Sequence, residues 1–427
     1  MRFRGSWYAL GTSVAGALLA ACGSQSQPVG VLPQSRAIAP ASYEQMYRFH
    51  PPWDGIHPHA GLLDVDGMLY GTTSAGGTSA HGTIYSISTA GIHKVLYRFR
   101  GGSDGSDPQS GLLNVSGTLY GTTAYGGASK DGTAFSVSTS GVEKVLYAFK
   151  GGSDGAHPIA GLIEVNGTLY GTTAWGGSGA CSASGGYTGC GTVFSITTSG
   201  EETVLHTFAG GSDGAHPRAP LLDVKGLLYG TTAQGGSCGK YGNGRGCGTV
   251  YSITTAGMEN VLYAFQFDPD GAYPQSGLID VNGMLYGTTV AGGQDGSNCT
   301  YGTCGTVYRV GANGEEKVLH RFADGSDGAT PMAGLIDVNG VLYGTTAEGG
   351  AGGSCFLAGG NCGTVYSITT AGAETVLYRF AGGTDGFAPA ASLTNVNGTL
   401  YGTTYFGGDK DECCHVYGFG TVFSLSP

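Results

Sequence analysis

The tetrapeptide Tyr-Gly-Thr-Thr occurs seven times in this chain, at Tyr70, Tyr120, Tyr170, Tyr229, Tyr286, Tyr343 and Tyr401. Successive copies lie 50, 50, 59, 57, 57 and 58 residues apart. Self-similarity at such a period marks a solenoid, a propeller or an array, built from units that cannot bury their apolar faces alone. One continuous repeat domain therefore replaces the several domains that 427 residues would otherwise suggest.

One repeat reads as four strands. Residues 110–115 (Ser-Gly-Leu-Leu-Asn-Val) form a short apolar strand ended by Ser116-Gly117. At the same place other repeats carry Asp66-Gly67, Asn166-Gly167, Lys225-Gly226, Asn282-Gly283, Asn339-Gly340 and Asn397-Gly398. Asn-Gly or Asp-Gly between apolar runs is the strongest short hairpin signal, because both turn residues need positive φ. Residues 118–123, 132–138 and 144–149 then supply the second, third and fourth strands, all rich in β-branched and aromatic residues. Both faces of these strands are apolar, as expected of a blade packed between two others. Four antiparallel strands per repeat around an axis is the β-propeller arrangement.

The repeat region opens with a fourth-strand sequence at 44–49 (Glu-Gln-Met-Tyr-Arg-Phe) and closes with a third-strand sequence at 420–425 (Gly-Thr-Val-Phe-Ser-Leu). The N-terminal strand is therefore expected to complete the last blade, which removes the open edges that invite aggregation. The reading is an all-β, seven-bladed β-propeller closed in this way.

Ahead of the repeats, Arg2 and Arg4 precede a short apolar stretch ending in Leu19-Ala20-Ala21-Cys22. Length and flanks indicate a signal peptide, and these four residues resemble a bacterial lipobox. Residues 1–21 are thus expected to be a lipoprotein leader, 22–42 a lipidated Cys22 with a flexible tether, and 43–427 a single propeller domain. Gly23 rather than Asp after the Cys implies, by resemblance to lipoprotein sorting, the outer membrane, with the domain periplasmic or surface-facing.

Composition narrows the partners. Charged residues are only 11 %, Gly numbers 83 and the net charge is −11. Removing Arg2 and Arg4 with the leader makes the protein more acidic still, which disfavours nucleic acid and anionic lipid. No internal apolar run is long enough to span a bilayer, so the lipid anchor is the expected membrane contact.

Eight cysteines form four close pairs, Cys181/Cys190, Cys238/Cys247, Cys299/Cys304 and Cys355/Cys362, each between a Tyr-Gly-Thr-Thr and the next Gly-Thr-Val. Regular placement in an exported chain reads as local disulfides, worth about 2–3 kcal/mol apiece in the chain-entropy picture. Zinc is the poorer reading, because no partner His or Cys-x2-Cys spacing occurs in these loops. Adjacent Cys413 and Cys414 leave two readings open, a vicinal disulfide or a pair of thiols.

The run Tyr-Gly-Thr-Thr-x-x-Gly-Gly followed by Gly-Thr-Val-Phe/Tyr resembles the GloVer (Gloeobacter/Verrucomicrobia) tandem repeat over nearly all of residues 43–427. The resemblance implies an exported, surface-anchored bacterial repeat protein and brings no catalytic residues with it. Repeat 5 departs from the pattern with Gln266-Phe267-Asp268-Pro269-Asp270, and repeat 1 with Pro51-Pro52-Trp53-Asp54.

In a propeller the loops from second to third strand and from fourth to next first strand share one rim, the default binding surface. The disulfide loops are expected on this rim. Every repeat carries Asp-Gly-x-x-Pro there, from Asp54 to Asp385. A residue used in all seven repeats serves the turn, and no calcium ligand run accompanies it. The residue before the Pro is individual: His57, Asp107, His157 and His216, then Tyr273, Thr330 and Ala388. Convergence of the first four would suit a polar ligand or a metal, but solvated turn residues are the favoured reading, and no metal site is assigned. The second residue after Tyr-Gly-Thr-Thr is aromatic in three repeats, Tyr125, Trp175 and Phe406. With Trp53 nearby, these form either a sugar-stacking or protein-binding arc, or packing beneath the disulfide loops.

No nucleophile elbow, zinc-protease helix or phosphate loop is present. The expectation is a monomeric, lipid-anchored binding module without a cofactor or catalytic residues, taking a glycan or an envelope protein on its rim. A carbohydrate-active enzyme with carboxylates at the channel mouth and a purely structural or adhesive protein are the alternatives.

Overall fold

In the computed structural model, residues 41–182, 186–238, 245–296, 299, 301–350, 355, 361–409 and 417–427 are described. The leader, Cys22, Cys413 and Cys414 lie outside them. The described residues form seven four-stranded antiparallel sheets, with twenty-eight strands numbered β1–β28 in chain order. This is the seven-bladed propeller. Blade 3 is representative: β10 (Ile163–Val165), β11 (Thr168–Thr173), β12 (Thr192–Thr197) and β13 (Glu202–Thr207). Blade 7 is built from β26 (Thr394–Val396), β27 (Thr399–Thr404), β28 (Thr421–Ser426) and β1 (Ser42–Arg48), in the order β1-β28-β27-β26. β1 starts one residue inside the expected tether, because Ser42 is already paired with Ser426.

The seven hairpins between first and second strands have left-handed first residues, including Asn166 at φ 53° and Lys225 at φ 55°. The innermost strands are shorter than expected, three residues instead of six. Their leading segments enter the crowded axis, where neighbouring blades meet backbone to backbone. A Cβ on Gly61 would lie 2.9 Å from the carbonyl oxygen of Ser392. These segments line the channel instead of joining a ladder.

Each residue of Tyr-Gly-Thr-Thr has a packing role. The Tyr is buried in six of the seven blades, 7 % exposed at Tyr170. The Gly pairs across the sheet with an aromatic residue of the third strand, as Gly171 does with Phe194. A Cβ on Gly171 would stand 2.7 Å from Phe194 Cζ and 2.8 Å from Leu162 Cδ2. The first Thr reaches the next blade: Thr122 Oγ1 donates to the Ala160 carbonyl at 3.1 Å. The second makes a hydroxyl pair with the first residue of the third strand, 2.8 Å between Thr173 and Thr192, and this pair recurs in all seven blades.

Blades are joined edge-to-face. The Phe after each fourth strand packs on the third-strand aromatic of the next blade, as in Phe149–Phe194 with centroids 5.0 Å apart. The same contact closes the ring, with Phe49 against Tyr85 at 5.2 Å. Because the Gly is required for space, Gly171→Val should cost about 3 kcal/mol through overpacking, read as a lower midpoint in urea. Combining it with Phe194→Ala should recover part of that loss; no loss from Gly171→Val alone would refute this packing account.

All four expected cysteine pairs are disulfide-bonded, Cys181 to Cys190, Cys238 to Cys247, Cys299 to Cys304 and Cys355 to Cys362. Such bonds are the mark of an extracytoplasmic protein. Their placement differs from that of a surface staple on the rim. The second cysteine of each pair, Cys190, Cys247, Cys304 and Cys362, is buried in the core rather than exposed on the loop. The reason is position: each of these residues stands directly before the Gly-Thr that opens the third strand, already between two blades. Cys304 packs with Val307 and Phe322, and Cys362 with Val365 and Phe380. Among the described residues no helix is long and apolar enough to cross a membrane.

Candidate binding rim and channel mouth

The rim is assembled from two loops per blade. Isolated bridges such as Ala156↔Trp175 and Ala215↔Gln234 lay the fourth-to-first loop beside the second-to-third loop. The Asp of Asp-Gly-x-x-Pro closes the first of these loops. Asp154 accepts the Lys150 amide at 2.7 Å and the Tyr147 hydroxyl at 2.6 Å. Asp104, Asp213, Asp327 and Asp385 likewise accept the amide four residues earlier. These carboxylates hold the turn.

Between blades, each clasp also faces the first residue of the following fourth strand. Glu143, Glu202, Glu259, Glu316 and Glu374 stand there and are pushed up to about 7, first by burial and then by the neighbouring Asp. In the fourth strands of blades 3 and 5 His replaces the Tyr, with His206 Nε2 3.3 Å from Asp213 and His320 Nε2 3.2 Å from Asp327. With Glu259 and Glu374 these give two His-Asp-Glu sets whose ligand atoms lie within 4.8 Å, a donor set able to hold a divalent transition metal. The imidazole nitrogen occupies the place of the tyrosine hydroxyl as partner of the Asp.

Beyond the clasp, the residue before the Pro is left-handed in every blade, from φ 55° at His157 to φ 59° at His57. Its amide donates to the preceding blade. The acceptor for His216 is the Cys190 carbonyl at 2.7 Å, and for Tyr273 the Cys247 carbonyl at 2.8 Å. Thr330 donates in the same way to the Cys304 carbonyl at 2.8 Å, and Ala388 to the Cys362 carbonyl at 2.9 Å. The buried second cysteine of each disulfide thus anchors the next blade's rim residue.

These anchors bring four of the expected residues together. Tyr125 meets His157 edge-on at 4.7 Å, and His157 meets Tyr187 at 4.5 Å. Trp175 lies 5.7 Å from Tyr187 and 4.0 Å from His216. His157 and His216 are buried rather than solvated, contrary to the expectation of exposed turn residues. The reason is that aromatic neighbours cover them; burial holds both imidazoles below their usual range. Tyr125 and Tyr187 keep 39 % and 36 % of their surface exposed, so the cluster is part packing and part open face.

A second group gathers at the blade 7–blade 1 junction. His57 stacks on Tyr405 at 4.6 Å, and Phe406 meets His57 at 5.4 Å and Phe387 at 5.1 Å. Asp107 is accepted into the rim by a hydrogen bond from Gln109 Nε2 at 2.8 Å, and burial pushes its carboxyl up. Its charge bears on Tyr125 of the first group and on Tyr405 of the second. Trp53 stands apart. It is 64 % exposed, its carbonyl accepts from Arg98 Nε, and no ring contact joins it to either group among the described residues.

The position that sequence reasoning passed over is the residue after the Pro. Gln109, Ile159, Arg218, Gln275 and Met332 line a central cavity of about 500 Å³. Arg218 and Gln275 also line a second cavity, about 600 Å³, at the rim of blades 4 and 5, with Gln234, Arg245, Tyr273 and Tyr301. Arg218 is half-buried, and burial pushes its guanidinium below the usual value. The one available signal was that Arg218 is the single Arg or Lys in the post-Pro position. Arg245, Tyr187 and Tyr301 come from the disulfide-closed insertions, whose sequences have no repeat register to read.

Solved structures with a similar outline are distant. A Bacteroides uniformis protein assigned as a 6-phosphogluconolactonase matches at 12% identity and TM-score 0.45, covering 74% of this chain and 83% of its own. A luciferin-regenerating enzyme matches at 11% identity and TM-score 0.42, covering 91% of this chain and 95% of its own. Likeness at this level carries no information on activity. No curated protein matches in sequence. The repeat itself is matched by the Gloeobacter/Verrucomicrobia repeat model over residues 30–183 and 180–358, and the chain belongs to that family.

Proposed function

We propose that the protein is a lipid-anchored module of the outer membrane that binds glycan through the blade 2–4 rim, without catalysis. The observation that carries this reading is the continuous face of Tyr125, His157, Tyr187, Trp175 and His216 beside the channel mouth. Rings held at fixed angles, with Tyr125 and Tyr187 partly open and Tyr187 on a disulfide-closed loop, suit the apolar faces of sugar rings. The Gln and Arg side chains next to them suit hydroxyl groups. The repeated Asp residues support binding over hydrolysis, because each is committed to its turn. The other buried rim carboxylate, Glu348, accepts from Thr330 Oγ1 at 2.9 Å.

Binding of the full-length protein to a broad glycan array tests this reading, with the Trp175→Ala/Tyr125→Ala double variant alongside. Selective binding that falls at least about tenfold in the variant is expected, since aromatic anchors carry most of such an interface. Retention of all binding in the variant would move the site elsewhere. Shortened products from a bound glycan would replace the binding reading with the carbohydrate-active one.

A further inference from the structure

The cavity of about 600 Å³ at blades 4 and 5 differs in charge from the protein that holds it. The chain carries a net charge of −11, yet the described lining of this cavity contains two arginines, Arg218 and Arg245, and no carboxylate. Neither guanidinium forms a hydrogen bond or an ion pair among the described residues. Four other arginines of the domain are held by the protein itself. Arg98, Arg321 and Arg379 each give Nε to a loop carbonyl, and Arg48 pairs with Asp409. A half-buried cation without a counter-charge is costly unless a ligand supplies one.

The remaining walls indicate what kind of anion fits. Tyr273 and Tyr301 stand with ring centroids 5.6 Å apart, and Gln234 and Gln275 add amide donors and acceptors. Aromatic walls and amides are more than a simple inorganic anion needs. They match a polyhydroxylated ring that carries an acidic group, and the planar fork of Arg matches a carboxylate. The volume lies within the range of small-ligand sites, about 300–1,000 Å³. Arg218 and Gln275 line both this cavity and the channel. One extended ligand can therefore run from the channel mouth into the arginine pocket.

We propose that this pocket takes the carboxylate of an acidic saccharide, a uronic-acid unit, with Arg218 and Arg245 as its counter-charges. The proposal rests on the glycan-binding reading and names the substrate class for the same rim.

Calorimetric titration of the full-length protein with tetragalacturonate, its methyl ester and neutral galactotetraose provides the test. The acidic tetrasaccharide should bind at least about tenfold more tightly than the ester or the neutral sugar. Arg218→Gln, and separately the exposed Arg245→Gln, should remove that preference while leaving residual binding that Trp175→Ala abolishes. Equal binding of all three sugars, unaffected by either Arg variant, would overturn the acidic preference and leave glycan binding standing. Binding of acetate or phosphate as tight as that of the tetrasaccharide would overturn the saccharide assignment and keep an anion pocket. No binding of any of these three sugars, with neutral array glycans still bound, would overturn the uronate assignment; an array wholly without binding would overturn the glycan reading itself.

Discussion

Deleting residues 41–50 should leave a chain that no longer closes its ring and that self-associates through the opened edge. β1 pairs with β28 from Ser42↔Ser426 to Arg48↔Thr421, and the Phe49 amide adds a bond to Gly420 at 3.1 Å. Its side chains reach both neighbouring blades. Tyr43 stacks on Tyr378 with centroids 4.0 Å apart, and Tyr47 stacks on His93 at 4.1 Å. Phe49 is fully buried against Tyr85. Removing one buried Phe alone costs about 3–5 kcal/mol, and here a ladder and two further stacked rings go with it. The exposed edge of β28 would then be a template for intermolecular pairing. Size-exclusion chromatography and thermal unfolding should show oligomers and a transition more than about 10 °C lower. A synthetic peptide of residues 41–50 should restore much of the loss. A monomeric deletion variant with an unchanged transition would refute closure by β1.

Stability should also fall as pH rises from 5 to 8. The five glutamates at the blade junctions, Glu143, Glu202, Glu259, Glu316 and Glu374, titrate near 7 in the folded protein because burial and a neighbouring Asp disfavour their charge. Their ordinary value is 4.5. A folded value above the unfolded one means that the folded state binds the proton more tightly. The contribution is therefore complete below about 4.5 and is lost as pH rises through about 7. His59, His93, His157 and His216 act in the opposite sense: burial lowers all four, His93 to about 4 from 6.5, so their contribution is present above 6.5 and is lost as pH falls. Above 6.5 they no longer oppose the glutamates, and below it the five glutamates, joined by the raised Asp107 and Asp131, outnumber them. The glutamates are only half-buried, so solvent screening reduces each contribution. A fall in melting temperature of about 5 °C between pH 5 and pH 8 is expected for a domain of this size. Replacing all five with Gln should flatten the slope. A melting temperature that is constant or rises over this range would contradict the assignment.

The architecture was legible because its code is local and repeated. Alternating apolar strands, left-handed hairpin residues such as Asn166-Gly167 and the split first and last repeats depend only on neighbours along the chain. They therefore predicted four strands per blade, the blade number and the closure. The disulfides were legible for the same reason, each pair being fewer than ten residues apart. That Cys190, Cys247, Cys304 and Cys362 hold the next blade was not legible, because the bonded amides belong to another repeat. The Asp of each rim turn was readable, since its partners lie four and seven residues earlier.

The site was decided by tertiary structure. Repetition made Tyr125, Trp175, His157 and His216 visible as departures from the pattern, but their contacts run between blades, across 32 to 41 residues of chain. Only the ring geometry brings them into ring contact and buries the two histidines. Arg218 lines the channel because the post-Pro position of every blade does so, and Arg245, Tyr187 and Tyr301 arrived on insertions without periodicity. Local sequence determined how each blade forms and how the ring closes, since those interactions are short-range and recur seven times. The tertiary structure alone decided which unlike residues from different blades share a surface, because that depends on the angle between blades, which no single repeat encodes.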